Sequence, residues 1–434
     1  MNNSQIIEIL DVWNFWNKSI NTGIIREQYV GELYRQRNIK EVSVVAGVRR
    51  SGKSTILLQV IKKIIDAGDA SSQNTLYINF EEPAFSPYLN IEFLLQIYDA
   101  YLEHFNPEGK IFIVLDEIQN VPQWEKFIRG LYDRNEKIKF YITGSSSKLL
   151  SKEYGTSLTG RIYSNEIFPL NFKEFLKFKN KDDLFENITG KGSPVLRKFF
   201  KEYMEFGGLP QVVLTKEEKD KTQILKDYYS AIIEKDIVQR YEIRDVKKLK
   251  EFCLNLIVNI SAKFSGYQAE KKQKISQPTA NKFLEYAKEV FLVQTADYFS
   301  YSFAKQKNNP HKIYIIDLGL YNALSFRFSD NLGKMFENLV YLEYRRKQED
   351  IFYWENKNEV DFLIRKGVKI DKLINVCWNF NNENKQRETG GLLEAMNKFG
   401  QKEAYIITMG YDEEIQIDKK TIKVKNFLKY MEES

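Results

Sequence analysis

Gly47-Val48-Arg49-Arg50-Ser51-Gly52-Lys53-Ser54 has the spacing of a loop that wraps backbone N–H groups around a phosphate. In such a loop Gly47 and Gly52 allow the turns, and the backbone of Val48, Arg49, Arg50 and Ser51 lines the phosphates. Lys53 reaches the β and γ phosphates, and the Ser54 hydroxyl ligates Mg2+. Thr55 follows at the start of a helix, whose positive end favours an anion. The chemistry implied is binding of a nucleoside triphosphate, ATP with Mg2+.

A second group completes that chemistry. Ile111-Phe112-Ile113-Val114-Leu115 runs into Asp116-Glu117, with Asp116 placed 63 residues after Lys53. Asp116 is expected to hold Mg2+ through water, and Glu117 to polarise the attacking water as general base. Lys139-Phe140-Tyr141-Ile142-Thr143 ends in Gly144-Ser145-Ser146-Ser147, whose hydroxyls could sense the γ-phosphate or form an ordinary turn. Arg161, in Leu158-Thr159-Gly160-Arg161-Ile162, could stabilise transition-state charge in cis or across a subunit interface.

These residues need a rigid frame. Val42-Ser43-Val44-Val45-Ala46 reads as the strand before the loop, and further strands are expected near 76–80, 111–115 and 139–143, alternating with helices. That alternation predicts a parallel α/β sheet with the nucleotide at the C-terminal ends of its strands. Residues 1 to about 39 read as helical, with Trp13, Phe15 and Trp16 ahead of Ile24-Ile25-Arg26.

The chain resembles the AAA+-type ATPases of an archaeal and bacterial group of ATP-binding proteins. The resemblance covers nearly the whole chain and rests on Gly-x-Arg-Arg-Ser-Gly-Lys-Ser, Leu115-Asp116-Glu117-Ile118-Gln119, Thr143-Gly144-Ser145-Ser146, Leu158-Thr159-Gly160-Arg161 and Phe206-Gly207-Gly208-Leu209-Pro210. It implies a sensor at Thr143 or Ser145, a restraint on Glu117 from Asn79, and an arginine finger or sensor at Arg161. It also implies adenine contacts from Ile24, Ile25 and Arg26, with core packing as the alternative for the isoleucines. Four regions are expected: an ATPase core over 1–165, a helical lid over 166–230, a winged-helix-like domain over 231–330, and a restriction-endonuclease-like domain over 331–434.

The winged-helix expectation has its own basis. Ser276 and Pro278 suit the start of a helix in which Ala280, Phe283, Leu284 and Ala287 form one apolar face. Strand-like 291–295 and 312–317 follow. Residues 240–290 carry eleven Lys and Arg against six acids, a local net of +5 out of +6 for the whole chain. A basic stretch on a helix-turn-helix pattern suits DNA phosphate, although winged helices also bind proteins.

In the last hundred residues, Glu337 and Asp361 match the acidic metal-binding positions of the nuclease resemblance. Asn375 and Cys377 stand where an acid and a lysine would complete it, so cleavage is not expected; Lys385 could reach from beyond the strand.

The length of 434 residues suggests roughly two to four domains. Two cysteines, Cys253 and Cys377, and two histidines, His104 and His311, exclude a zinc site or a disulfide framework. The N-terminus lacks a basic start with an apolar core, and no apolar stretch approaches the ~18–20 residues that span a bilayer, so a cytoplasmic protein is expected. Three readings stand: an ATP-hydrolysing switch that binds DNA, a nucleotide-gated scaffold that binds protein, and an ATP-dependent nuclease. A homo-oligomer is compatible with each.

Overall fold

The computed structural model describes residues 1–134, 136–150, 158–186, 194–325 and 331–433. They form two compact units, Met1–Ile167 and Phe168–Ser434. Among them no helix is long and apolar enough to cross a membrane.

The first unit holds a five-stranded sheet of β1 (Val42–Ala46), β2 (Thr75–Asn79), β3 (Ile111–Asp116), β4 (Ile138–Gly144) and β5 (Ile162–Glu166), ordered β2-β3-β4-β1-β5. All four pairings are parallel. Every residue of β1, β3 and β4 is buried, as expected for strands covered by helices on both faces. The helix Lys53–Asp66 lays Ile56, Val60 and Ile64, with Leu57 and Ile61, against Val45, Phe112 and Tyr141. Each such side chain contributes about 1.5–3 kcal/mol by leaving water.

β2 is an edge strand whose outer backbone would otherwise be open to another chain. The N-terminal segment closes it with side chains. Asn14 accepts from Tyr77 N–H at 2.7 Å and donates to Tyr77 O at 2.9 Å, while Trp16 Nε1 donates to Thr75 O at 2.8 Å. The aromatic cluster near the N-terminus thus seals the sheet.

The second unit begins with helices Phe172–Phe178, Asp183–Glu186, Pro194–Phe206, Pro210–Leu214 and Glu218–Ala231, then a π-helix over Ile232–Gln239. The helical segment expected as a lid is therefore built into this unit, and the divisions expected near 230 and 330 fall inside it. Residues 187–193, within the segment expected as a lid, lie outside the described residues. Two glycines explain Phe206-Gly207-Gly208-Leu209-Pro210: a Cβ on Gly208 would meet Leu170 O at 2.1 Å, and one on Gly207 would meet Asp317 Oδ1 at 2.0 Å. Gly208 N–H donates to Asp317 Oδ2 at 2.7 Å.

Next come the helix Val246–Val258, β6 (Lys263–Phe264), helices Gly266–Gln273 and Gln277–Glu289, β7 (Val293–Tyr298) and β8 (His311–Ile315). β8 pairs antiparallel with both β6 and β7. The expected apolar face of Gln277–Glu289 is buried, but Ser276 makes no side-chain cap; its hydroxyl bonds Thr279 Oγ1 instead.

After the helix Leu332–Arg346 come β9 (Asp350–Glu355), β10 (Glu359–Lys366), β11 (Lys369–Val376), the helix Lys385–Phe399, β12 (Glu403–Thr408), β13 (Glu413–Ile417), β14 (Lys420–Asn426) and the helix Phe427–Glu433. The sheet runs β13-β14-β12-β11-β10-β9-β7-β8-β6.

Candidate functional site

The parallel register brings the chemistry to one end of the first sheet. Ala46 pairs with Gly144, Val45 with Thr143, and Asn79 with Asp116, so the P-loop, Thr143 and the acidic pair share the C-terminal edge. Gly52 has φ 95° and caps the helix that starts at Lys53; a side chain there would be strained. Gly47 is needed for closeness, because a Cβ would lie 2.2 Å from Ile167 O. Arg50 also takes a left-handed backbone, at φ 70°.

Lys53 is buried, with Nζ donating to Gly47 O at 3.1 Å and Val48 O at 3.2 Å and standing 3.9 Å from Glu117 Oε1. The Ser51 hydroxyl is buried without a hydrogen-bond partner. A curled loop with an enclosed ammonium and an orphan hydroxyl fits a phosphate. Arg49 pairs with Glu81 at 3.1 Å; Val48 is buried, and Thr55 lies on the exposed side of its helix.

Asp116 is buried, and both its oxygens accept from hydroxyls: Oδ2 from Tyr77 at 2.6 Å and Oδ1 from Thr143. Thr143 Oγ1 also accepts from Glu117 N–H at 2.9 Å, joining the two acids through one side chain. Tyr77 also reaches Ser54, and burial followed by the charge of Asp116 pushes its pKa well above the ordinary tyrosine value, so it remains a donor. Glu117 has a left-handed backbone at φ 55°. Burial raises its carboxyl above the ordinary 4.5, opposed by the nearby Lys53 ammonium.

Residues 39–176 match the family described as AAA domain. Residues 197–331 and 332–427 match two families described as domains of unknown function. An uncharacterised protein of Methanocaldococcus jannaschii is 40% identical over 360 residues, spanning 80% of this chain and 77% of that protein. Another, from Haemophilus influenzae, is 30% identical over 406 residues, spanning 91% and 96%. The chain belongs to their family. Similar solved structures are PCH-2 of C. elegans, with TM-score 0.27, 15% identity and coverage of 60% of this chain and 66% of that one, and AMPPCP-bound DnaA of Aquifex aeolicus, with TM-score 0.29, 16% identity and coverage of 63% and 87%. The P-loop and the acidic pair thus both lie within the stretch that matches the AAA domain family.

Within the AAA domain several expected roles change. Asn79 does not restrain Glu117: its Oδ1 accepts from Glu81 N–H at 2.9 Å, and Gln119 Nε2 donates to Glu117 Oε2 instead. Gln119 packs against Gly144, where a Cβ would approach its Oε1 to 2.4 Å. Arg26 is buried and donates to Ser51 O at 3.0 Å, bracing the loop from behind, while Ile25 is 44% exposed. Gln59 helps by donating to Thr22 O at 2.7 Å and Ile24 O at 3.0 Å. Ser145 is buried at the turn after β4.

Arg161 lies at the wrong end of the sheet to serve its own P-loop. Its carbonyl accepts from Val42 N–H at 2.8 Å, at the start of β1, whereas Gly47 follows the other end of that strand, roughly 13 Å away at strand rise. Its guanidinium pairs with Asp133 at 3.1 Å and lies 5.3 Å from the Tyr132 ring. In this placement the Arg161 side chain is engaged by Asp133 and not by its own P-loop.

The C-terminal acids converge on a residue the sequence did not single out. Lys312 Nζ lies 2.8 Å from Glu337, 2.5 Å from Glu359 and 3.1 Å from Asp361. Asn375 is a backbone staple, accepting from Asp361 N–H at 3.2 Å and donating to Glu388 O at 2.9 Å. Cys377 faces the apolar core, with its thiol pushed up to about 11 by burial. Lys385 pairs with Glu413 at 3.5 Å and takes no part in the acid group. Among the described residues no cluster of three or more His, Cys, Asp or Glu is arranged to hold a metal.

The missed residues carried partial signals. Glu359 and Asp361 are two apart on a strand and share a face, which flags them as a pair. Gln119 ends the run Leu115-Asp116-Glu117-Ile118-Gln119 and Tyr77 stands two residues before Asn79, but their types alone carry no chemistry.

Proposed function

We propose that the protein is an ATP-hydrolysing switch whose nucleotide state governs DNA binding by the second unit. The observation that carries the hydrolytic reading is the joined group of Lys53, Asp116, Glu117 and Thr143. Glu117, beside Lys53 and enclosed enough to favour taking a proton, would draw that proton from the attacking water. Lys53 would turn from the loop carbonyls to offset phosphate charge. Ser54 would ligate Mg2+ directly and Asp116 through water, since its oxygens already serve Tyr77 and Thr143. Bound Mg2+ supplies neutralisation of charge on the phosphates.

The DNA reading rests on the second unit. Helix, strand, two helices and two strands, with β8 between β6 and β7, suit a winged helix. Lys271, Lys272, Lys274 and Lys282 are exposed on its helix-turn-helix. Between β7 and β8 the connecting segment holds out Tyr301 and Phe303, each 77% exposed, followed by exposed Lys305 and Lys307, a pairing of rings and cations that suits nucleic acid. The distinguishing experiment measures ATP turnover with and without duplex and single-stranded DNA, using Lys53→Ala as the binding-deficient control. Stimulation by DNA is expected. Turnover indifferent to DNA, together with a stable protein partner, would favour the nucleotide-gated scaffold.

A further inference from the structure

Lys312 and Tyr314 project from the same face of β8, two residues apart, into the acids of the following region. The Lys312 side chain is only 3% exposed, and its ammonium has three N–H donors, matched by three carboxylates: Glu337 from the helix Leu332–Arg346, and Glu359 and Asp361 from β10. Tyr314 adds a second donor to Glu337 Oε1 at 2.8 Å. Lys263, on β6, takes the other oxygen of Glu359 at 2.6 Å and Glu355 at 2.8 Å. The second oxygen of Asp361 accepts from Val376 N–H at 2.9 Å.

We infer that Lys312 is the resident cation of this carboxylate centre, a lysine supplied by β8 in the place a hard divalent metal would otherwise take. Mg2+ needs oxygens at about 2.0–2.1 Å in near-octahedral array, whereas the Lys312 ammonium already fills the space among these three carboxylates and offsets the charge that would draw such an ion. Lys312 closes the centre to metal-assisted phosphodiester cleavage. It also ties β8, within the region 197–331, to the helix and strand of the region 332–427. The inference is independent of the ATP-switch reading, since it concerns only these side chains.

The test is iron-mediated self-cleavage of the full chain without nucleotide. Fe2+ with ascorbate and peroxide cuts backbone beside the site where the ion binds, and mass spectrometry maps the cuts. Wild type should show none near Glu337 or Asp361. Lys312→Ala should be cut at both places, Mn2+ in excess should suppress the cuts, and Lys312→Ala with Asp361→Asn should lose them. Lys312→Gln, which keeps length and a polar head, provides a second variant if the alanine fails to fold. Should neither fold, refolding each with and without Mn2+ decides: recovery of native circular dichroism only with Mn2+ supports the inference, and no recovery overturns it. Cutting of wild type near Asp361, or its absence in a folded variant, overturns it as well.

Discussion

Gln119 donates its amide N–H to the carboxylate of Glu117, two residues upstream, so the group placed to activate water is held by its own turn rather than by a neighbouring strand. That bond favours the ionised carboxylate, whereas burial, the largest influence, favours the protonated one and leaves Glu117 above the ordinary 4.5.

The acid limb of kcat/KM for ATP hydrolysis should therefore lie above pH 4.5, because the base must be ionised and its pKa is raised. Gln119→Ala removes a lowering influence, so the limb should move to still higher pH. Glu117→Gln should keep nucleotide affinity and lose turnover by about 100-fold or more. A limb unmoved in Gln119→Ala would show that the amide does not tune the base.

Arg161→Ala should leave nucleotide affinity of the isolated chain unchanged, since the residue lies beside Val42 at the far end of β1. Turnover should fall only under conditions where chains associate. Mixing Arg161→Ala with Glu117→Gln chains should restore part of the activity if the arginine serves a neighbour. Equal loss in dilute and concentrated protein would count against that role.

Replacing Lys271, Lys272 and Lys274 together should flatten the dependence of DNA affinity on salt. Each phosphate contact adds about 0.9 to the slope of log affinity against log salt, so the loss should be about 2–3 units. Fluorescence anisotropy at several salt concentrations measures it. Lys263 should have no such effect, because Glu355 and Glu359 already engage it.

Gly208→Ala should lower stability by about 3 kcal/mol through overpacking, since the added carbon would stand 2.1 Å from Leu170 O. Urea unfolding of the full chain monitors the second unit. A change within experimental scatter would mean that the backbone around Leu170 yields.

The P-loop and the Asp116-Glu117 pair were legible because their chemistry is carried by neighbours in sequence and their strands are apolar throughout. β5 was not: Ile162-Tyr163-Ser164-Asn165-Glu166 is an edge strand with only Asn165 buried, so it carries no apolar run. β13 and β14 escaped for a related reason, since each buries only one side of a polar, charged sequence. Lys312 could not be found from spacing. It stands 25 residues from Glu337 and 49 from Asp361, and only the sheet brings them together. Asn79 misled because a residue's place in a motif does not fix what its side chain reaches once a neighbour such as Glu81 competes for it.

β7 pairs antiparallel with β8 on one side and parallel with β9 on the other, where Asp297 meets Phe352 and Tyr298 meets Tyr353. The seam between the two C-terminal families, at residues 331 and 332, is therefore no hinge. Severing the chain there would leave each half with a bare strand edge, inviting aggregation. Torque applied to the helices before β7 passes through a single plate of strands to the far side, making the region a lever rather than two beads on a string.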